Sequence, residues 1–336
     1  MKCPLCGNPE VNKRLDGYFE PVEGIDYTVL LCPQCKVEFT DPMRNPGKEW
    51  YKKSEFYRDS DNPVTGELNP RMKPFFEHEF PEGLKLLDVG CGFGNFLLHA
   101  KRKGFNCAGI DFSEKQAETA RRNSGVADIE AATLKVFLDK YPGRKFDVIT
   151  LFGFLEHQED PSGIMDTCKS MLQDKGYVAI NVPNGKRPLW FGNREGWDLP
   201  PHHLTRWDPV SLAAFVRRKG FTPVLERETP VTVTHMFNQL IGIRLNKTIQ
   251  TLVSAMKRLI FKSDTDIDAS FEELSAKTSS KNSFNLLNIR LLRRLPLLCI
   301  KAAAWLLTLP VTLPSAVYYR AAKNRGCELF ILARLS

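Results

Sequence analysis

Two cysteine pairs stand at the start of the chain. "CPLCG" and "CPQCK" place Cys3 and Cys6, then Cys32 and Cys35, as Cys-x2-Cys turns separated by 25 residues. Each turn aims two thiolates at one point, and two such turns complete a tetrahedral site suited to zinc. Pro4 and Pro33 stiffen the turns, and "YFEPVEGIDYTVLL" between them reads as short strands, giving a zinc ribbon over residues 1–39. All four positions are cysteines, so no place is left for water and the expected metal is structural. The other five cysteines (Cys91, Cys107, Cys168, Cys299 and Cys327) are scattered in apolar surroundings and read as small buried hydrophobes. Nine cysteines, an odd number, argue against a disulfide framework.

The second set of chemistry-bearing residues is a glycine turn. "LKLLDVGCGFGNFLLHA" is an apolar run, Leu84–Val89, followed by Gly90, Gly92 and Gly94 and an amphipathic helix from about Asn95. Such a turn lets a ligand approach the backbone and sets its anionic end near a helix N-terminus. The dinucleotide fingerprint G-x-G-x-x-G is not met; the spacing is G-x-G-x-G, with Asp88 two residues before the first glycine. "FNCAGIDFS" is a second strand ending in Asp111, 17 residues after Gly94, where a carboxylate can accept both hydroxyls of a ribose. The third set is histidine, the side chain suited to proton transfer near neutral pH. His157 lies in "LEHQEDP"; His202 and His203 are adjacent in "DLPPHHLTRWDP", just before a helix.

The elements that must position these residues are strands and helices in alternation. "KFDVITLFGFLEHQEDP" gives a fourth strand running into a loop. "GYVAINVPN" gives a fifth, "GFTPVLERET" a sixth and "CELFILARL" a seventh at the C-terminus. Residues 40–76, including "DPMRNPGKEWYKKSEFYRDSDNP", show no period and read as a linker with one short helix near Glu49–Tyr57.

"LLDVGCGFGNFL", "GIDFS", "FDVITLFGFLEHQEDP" and "GYVAINVPN" stand in the order and spacing of class I S-adenosylmethionine-dependent methyltransferases, and the chain resembles that family over roughly Leu84–Glu228 and its last ten residues. The resemblance implies an α/β fold, a Rossmann-like seven-stranded methyltransferase sheet occupying 77–229 and completed by 327–336. It implies that Gly90, Gly92 and Gly94 cradle the methionine part of S-adenosylmethionine and that Asp88 reaches its amino group through water or backbone. Asp111 is then the ribose ligand, Phe112 flanks the adenine, and Phe152 lies near the sulfonium. For the acceptor end, His203, His202 and His157 are the candidate catalytic residues. Two departures stand out. Ala131, Ala132 and Thr133 occupy the place of the usual adenine-binding acid, so no adenine-amino ligand is named. The loop also resembles that of the quinone-biosynthesis O-methyltransferases and many glycan methyltransferases. Gly153 stands where the quinone enzymes carry an additional metal-binding Glu, so no catalytic metal is assigned.

The remaining feature is an insertion of about 97 residues, 230–326, between the sixth and seventh strands. The net charge of +8 is concentrated here: Met236–Arg325 holds 14 Lys/Arg against 5 Asp/Glu. "MFNQLIGIRLNKTIQTLVSAMKRLIFK" reads as a basic amphipathic helix lying in a membrane interface. Leu295–Tyr319 is 25 residues with one charge, Lys301, about 37 Å long as a helix at ~1.5 Å per residue. Strand six and an antiparallel strand seven demand an even number of crossings, zero included. The reading favours a helical, membrane-associating insertion that dips into one leaflet, with Pro310 and Pro314 making the bend. A soluble lid and a true span are the alternatives. "MKCPLCGNPE" lacks the apolar core of a signal peptide, so the expected location is the cytoplasm, peripheral or monotopic at the inner membrane face. The functional expectation is O-methylation of a lipid-linked or amphiphilic acceptor, a glycan or a quinone precursor, at an anionic membrane surface. The alternative is a zinc-ribbon RNA methyltransferase whose basic segment grips phosphates. Against that alternative, the basic residues alternate with aliphatic runs and not with base-stacking aromatics.

Overall fold

The computed structural model describes residues 2–20, 24–47, 50–51, 66–187, 198–229 and 327–336. The segment 230–326, with its expected interfacial helices, and most of the expected helix near 49–57 lie outside the described residues. Among the described residues no helix is long and apolar enough to cross a membrane.

The large sheet has seven strands. They are β4 (Lys85–Val89), β5 (Asn106–Asp111), β6 (Ile129–Ala131), β7 (Phe146–Phe152), β8 (Leu172–Pro183), β10 (Phe221–Thr229) and β11 (Glu328–Leu335), in the order β10-β11-β8-β7-β4-β5-β6. β11 runs antiparallel to both neighbours; the other pairs are parallel. The parallel strands are continuous apolar runs because helices cover both faces. Helices α1 (Asn95–Arg102), α2 (Glu114–Ser124), α3 (Leu134–Lys140), α4 (Pro161–Met171) and α5 (Pro209–Arg218) start where the sequence offers a side-chain cap, α1 excepted. Ser113, Thr133 and Asp160 accept from backbone N–H groups of the first turn. Asp208 and Ser211 form a reciprocal capping box. Thr229 and Glu328 are register partners, and Glu328 also faces Pro183. The chain therefore leaves β10 and returns in β11 at the carboxyl end of the parallel strands, where open α/β sheets bind ligands.

A four-stranded antiparallel sheet comprises β1 (Asn12–Glu20), β2 (Ile25–Leu31), β3 (Glu38–Asp41) and β9 (Thr205–Arg206), in the order β1-β2-β3-β9. β9 comes from the segment just after the histidine pair: Phe39 faces Thr205, and Thr40 N–H donates to the Leu204 carbonyl at 2.9 Å. One apolar core runs from Cys32, Val37 and Phe39 to Leu155, Trp207 and Leu151 of the large sheet. The boundary read after residue 39 falls inside β3. β3 continues to Asp41, and an edge strand this short gains from a partner across it. The stretch read as a linker from 40 to 76 is likewise anchored. Its end forms a 3-10 helix, Pro70–Glu77, whose Phe75 is fully buried edge-on to Phe96 at 5.0 Å.

Candidate active site

The glycine turn between β4 and α1 is held by β5. Gly90 and Cys91 N–H both donate to the Ile110 carbonyl, at 2.8 and 3.0 Å. Gly90 has φ +75°, and a Cβ there would stand 2.7 Å from the Phe154 ring; Gly94 has φ +80° and would meet the Ala120 carbonyl at 2.9 Å. Only glycine fits either place. Gly94 caps α1 without any side-chain hydrogen bond, which leaves the first-turn N–H groups facing the turn.

Asp111, at the tip of β5, is buried and accepts from Gly92 N–H at 3.1 Å and Ser113 N–H at 2.9 Å. The Gln116 amide, oriented to donate, reaches both carboxylate oxygens at 3.0 and 3.1 Å. Burial raises the Asp111 carboxyl above its ordinary range, and the two backbone donors oppose it. Asp88 is buried, accepts from the Thr150 hydroxyl at 2.6 Å and braces β4 against β7; burial pushes it up to about 7. It does not line the cavity beside the turn.

That cavity has a volume of about 880 Å³. Its walls include Gly90, Gly92, Asp111, Phe112, Phe152 and His157. Phe112 is 38% exposed and has Tyr51 at 5.8 Å between ring centres. Phe152 ends β7 and meets Phe96 edge-on at 4.8 Å. Beyond the tip of β6 the wall is Ala132 and Thr133. The enclosed space, the glycine turn and the carboxylate at the strand tip suit a ligand of the size and chemistry of S-adenosylmethionine.

Three contributors escaped the sequence reading, all from the stretch dismissed as linker. Asn45, Tyr51 and Arg71 line the cavity. Asn45 donates to the His157 carbonyl at 3.0 Å and to the Tyr51 hydroxyl at 3.2 Å. Arg71 Nε is buried without a hydrogen-bond partner, and Nη1 lies 3.6 Å from where a Cβ on Gly153 would stand. A guanidinium there suits the carboxylate of a bound amino acid. The available signal was "LNPRM", an arginine just after an Asn-Pro helix start and before the first strand of the large sheet. Two buried acids surround it electrostatically: burial lifts Glu156 and Glu328 to about 7, and Arg71 counteracts both shifts.

The three candidate histidines stand differently toward the cavity. His157 reaches the cavity wall; His202 and His203 do not line it. His157 Nδ1 lies 2.6 Å from the His202 carbonyl, so Nδ1 carries the proton, and burial lowers the ring to about 4. His203 is 3% exposed with Nδ1 3.0 Å from Asp198, and burial lowers it to about 3. Asp198 is itself held by Arg187 at 3.0 Å and by Arg206, whose guanidinium donates to its carbonyl. The loop after β7 thus borders the cavity, while the histidines of the Pro-rich loop stand outside its wall.

The four N-terminal thiols converge as well. Cys3 and Cys35 sulfurs are 3.6 Å apart and Cys6 and Cys32 sulfurs 3.5 Å apart, with all four within 4.8 Å. A tetrahedral zinc at ~2.3 Å from each sulfur sets them about 3.8 Å apart, so this donor set fits the ion.

A family model described as a methyltransferase domain matches residues 64–226. A ubiquinone biosynthesis O-methyltransferase of Proteus mirabilis (strain HI4320) is 34% identical over 140 residues, 38% of this chain and 57% of that protein. Its namesake in Ralstonia nicotianae (strain ATCC BAA-1114 / GMI1000) is 34% identical over 170 residues, 47% of this chain and 71% of that protein. The matches thus span between about half and three quarters of the relatives' length, and less than half of this chain. A solved SAM-dependent methyltransferase from Archaeoglobus fulgidus overlaps 79% of this chain and 91% of its own at 16% identity, with a TM-score of 0.44.

Proposed function

The chain belongs to the class I S-adenosylmethionine-dependent methyltransferases, and on that footing we propose that it O-methylates a lipid-linked or amphiphilic acceptor, a glycan or a quinone precursor, at the cytoplasmic face of a membrane. The carrying observation is one cavity that joins the glycine turn and Asp111 to His157. S-adenosylmethionine, when bound, supplies an electrophilic methyl on a sulfonium. The chain's own work is placement: Arg71 takes the carboxylate, Asp111 the ribose hydroxyls, and Phe112 and Tyr51 flank the outer end. Fixing both reactants in one enclosed space supplies most of the acceleration in such a displacement. His157, neutral at pH 7, is the histidine presented to an acceptor oxygen and takes its proton. The cysteine clip is a structural zinc site.

Three observations support the amphiphilic acceptor. Leu295–Tyr319 carries a single charge inside the basic segment. The chain departs and returns at Thr229 and Glu328, on the carboxyl side of the parallel strands. The curated relatives carry quinone-pathway names. Flotation with liposomes tests the reading. The full chain is expected to float with anionic vesicles and less with neutral ones, and a variant lacking 236–325 that still binds S-adenosylmethionine stays at the bottom. A full chain that ignores both vesicles but is retained on RNA in a salt-dependent way would transfer the proposal to the nucleic-acid reading.

A further inference from the structure

His157, His202 and His203 come from two loops 45 residues apart, yet their imidazoles form a compact triangle. Ring centres are 4.7 Å (His157–His202), 4.8 Å (His157–His203) and 4.7 Å (His202–His203) apart. One ring nitrogen from each lies within 4.8 Å of the others. Three imidazoles bound to one ion at ~2.0–2.1 Å bring their donor nitrogens to about 3.4 Å and their ring centres to about 5 Å. The ring centres already match; small side-chain rotations close the nitrogens.

The surroundings match what metal-binding histidines need. Such rings are oriented by an oxygen acceptor on the second nitrogen. His157 Nδ1 faces the His202 carbonyl and His203 Nδ1 faces the Asp198 carboxylate. Asp198 is locked in turn by Arg187 and Arg206. Asn45 fixes the His157 backbone, and Trp50 lies 6.0 Å from the His202 ring while donating to Glu20 of β1 at 3.2 Å. The charges nearby are mixed. Arg71, Arg187 and Arg206 oppose a cation; Asp198 and Glu156, whose Oε1 is 3.8 Å from His157 Nε2, favour one. Three ligands leave one position of a tetrahedral ion unfilled, and His157 is the member of the triangle that forms part of the cavity wall. Three protein ligands with an open position is the arrangement of catalytic, not structural, zinc.

We propose that His157, His202 and His203 form a second metal site, distinct from the cysteine clip, that takes a borderline divalent cation of the zinc class and offers its open position to the acceptor's oxygen. What the ion does there rests on the methyl-transfer reading: it acidifies the acceptor hydroxyl, and His157 becomes a ligand in place of a base. Its presence does not rest on that reading.

The test uses the full chain dialysed against cobalt(II), with metal per chain and the absorption spectrum as readouts. Wild type is expected to bind one equivalent more than His203→Ala or His202→Ala. Those variants keep the thiolate-to-cobalt band of the clip, so the equivalent they lose is the nitrogen-ligated one. Calorimetry with S-adenosylmethionine runs in parallel and shows that each histidine variant is folded. Equal metal content in wild type and both histidine variants, with the cofactor still bound, overturns the metal site and leaves the methyltransferase reading intact. A second equivalent without cofactor binding does the reverse.

Discussion

The cysteine clip and the histidine-bearing cavity are built on opposite terms. In the clip, every donor points at one centre, the thiols sit in the core shared with Phe39 and Trp207, and no position is open. Around Arg71 in the cavity wall, polar groups are left incompletely matched: Arg71 Nε and Glu156 Oε2 are buried without hydrogen-bond partners, and Glu156 and Glu328 hold protons up to about 7. A closed site spends its ligands on folding; an open one keeps buried polar groups in reserve for something that binds. The two are linked through β3 and β9, so the clip props the loop that carries His202 and His203.

The largest break in this contrast is at the clip. Cys32→Ser together with Cys35→Ser is expected to abolish zinc binding and to melt β1–β3, since structural zinc contributes on the order of 10 kcal/mol to small ribbons. Zinc content and a fall in Tm check it; an unchanged Tm would mean that the shared core, and not the metal, holds the ribbon. Next comes the ligand side. Asp111→Asn removes a charge but keeps the shape, and should weaken S-adenosylmethionine binding about 10- to 10²-fold, the loss of a charge-assisted hydrogen bond worth ~1.5–3 kcal/mol. Calorimetry reads the affinity, and Tm is expected to stay put, the converse of the clip variant.

The third effect concerns pH. Glu156 titrates near 7 in the fold and near 4.5 when unfolded, so the folded state binds the proton more tightly. Stability is then full below about 4.5 and declines as pH rises toward 7, by up to about 3 kcal/mol for this group. Asp88 and Glu328 act in the same direction. Denaturant unfolding of Glu156→Gln at pH 5.5 and 8 should show a shallower decline than wild type. An equal decline in both would place the proton affinity on the other two acids.

Several features were legible because they are local. The Cys-x2-Cys turns, the glycine turn after an apolar run and the carboxylate ending the next strand each fit within a few residues; Gly90, Gly92, Asp111, Phe112 and Phe152 line one cavity, while Gly94 and Asp88 do not. Arg71 and Tyr51 were not legible, because a stretch without period carries no sign of where it docks. Which histidine borders the cavity was hidden for a related reason: His202 and His203 are adjacent on a Pro-rich loop, but His203 is buried against Asp198 and neither lines the cavity.

By itself the sequence determined the periodic parts of this protein: strand and helix order, the two thiol knuckles, and the cofactor end of the sheet. These follow from backbone sterics and hydrophobic spacing, which act over a few residues. Only the tertiary structure decided what lies side by side across the chain. It set β9 on the edge of β3, laid Arg71 against Gly153, and gathered three histidines from two loops. Such contacts are fixed by the packing of a common core, whose members are distant in sequence and carry no local mark of one another.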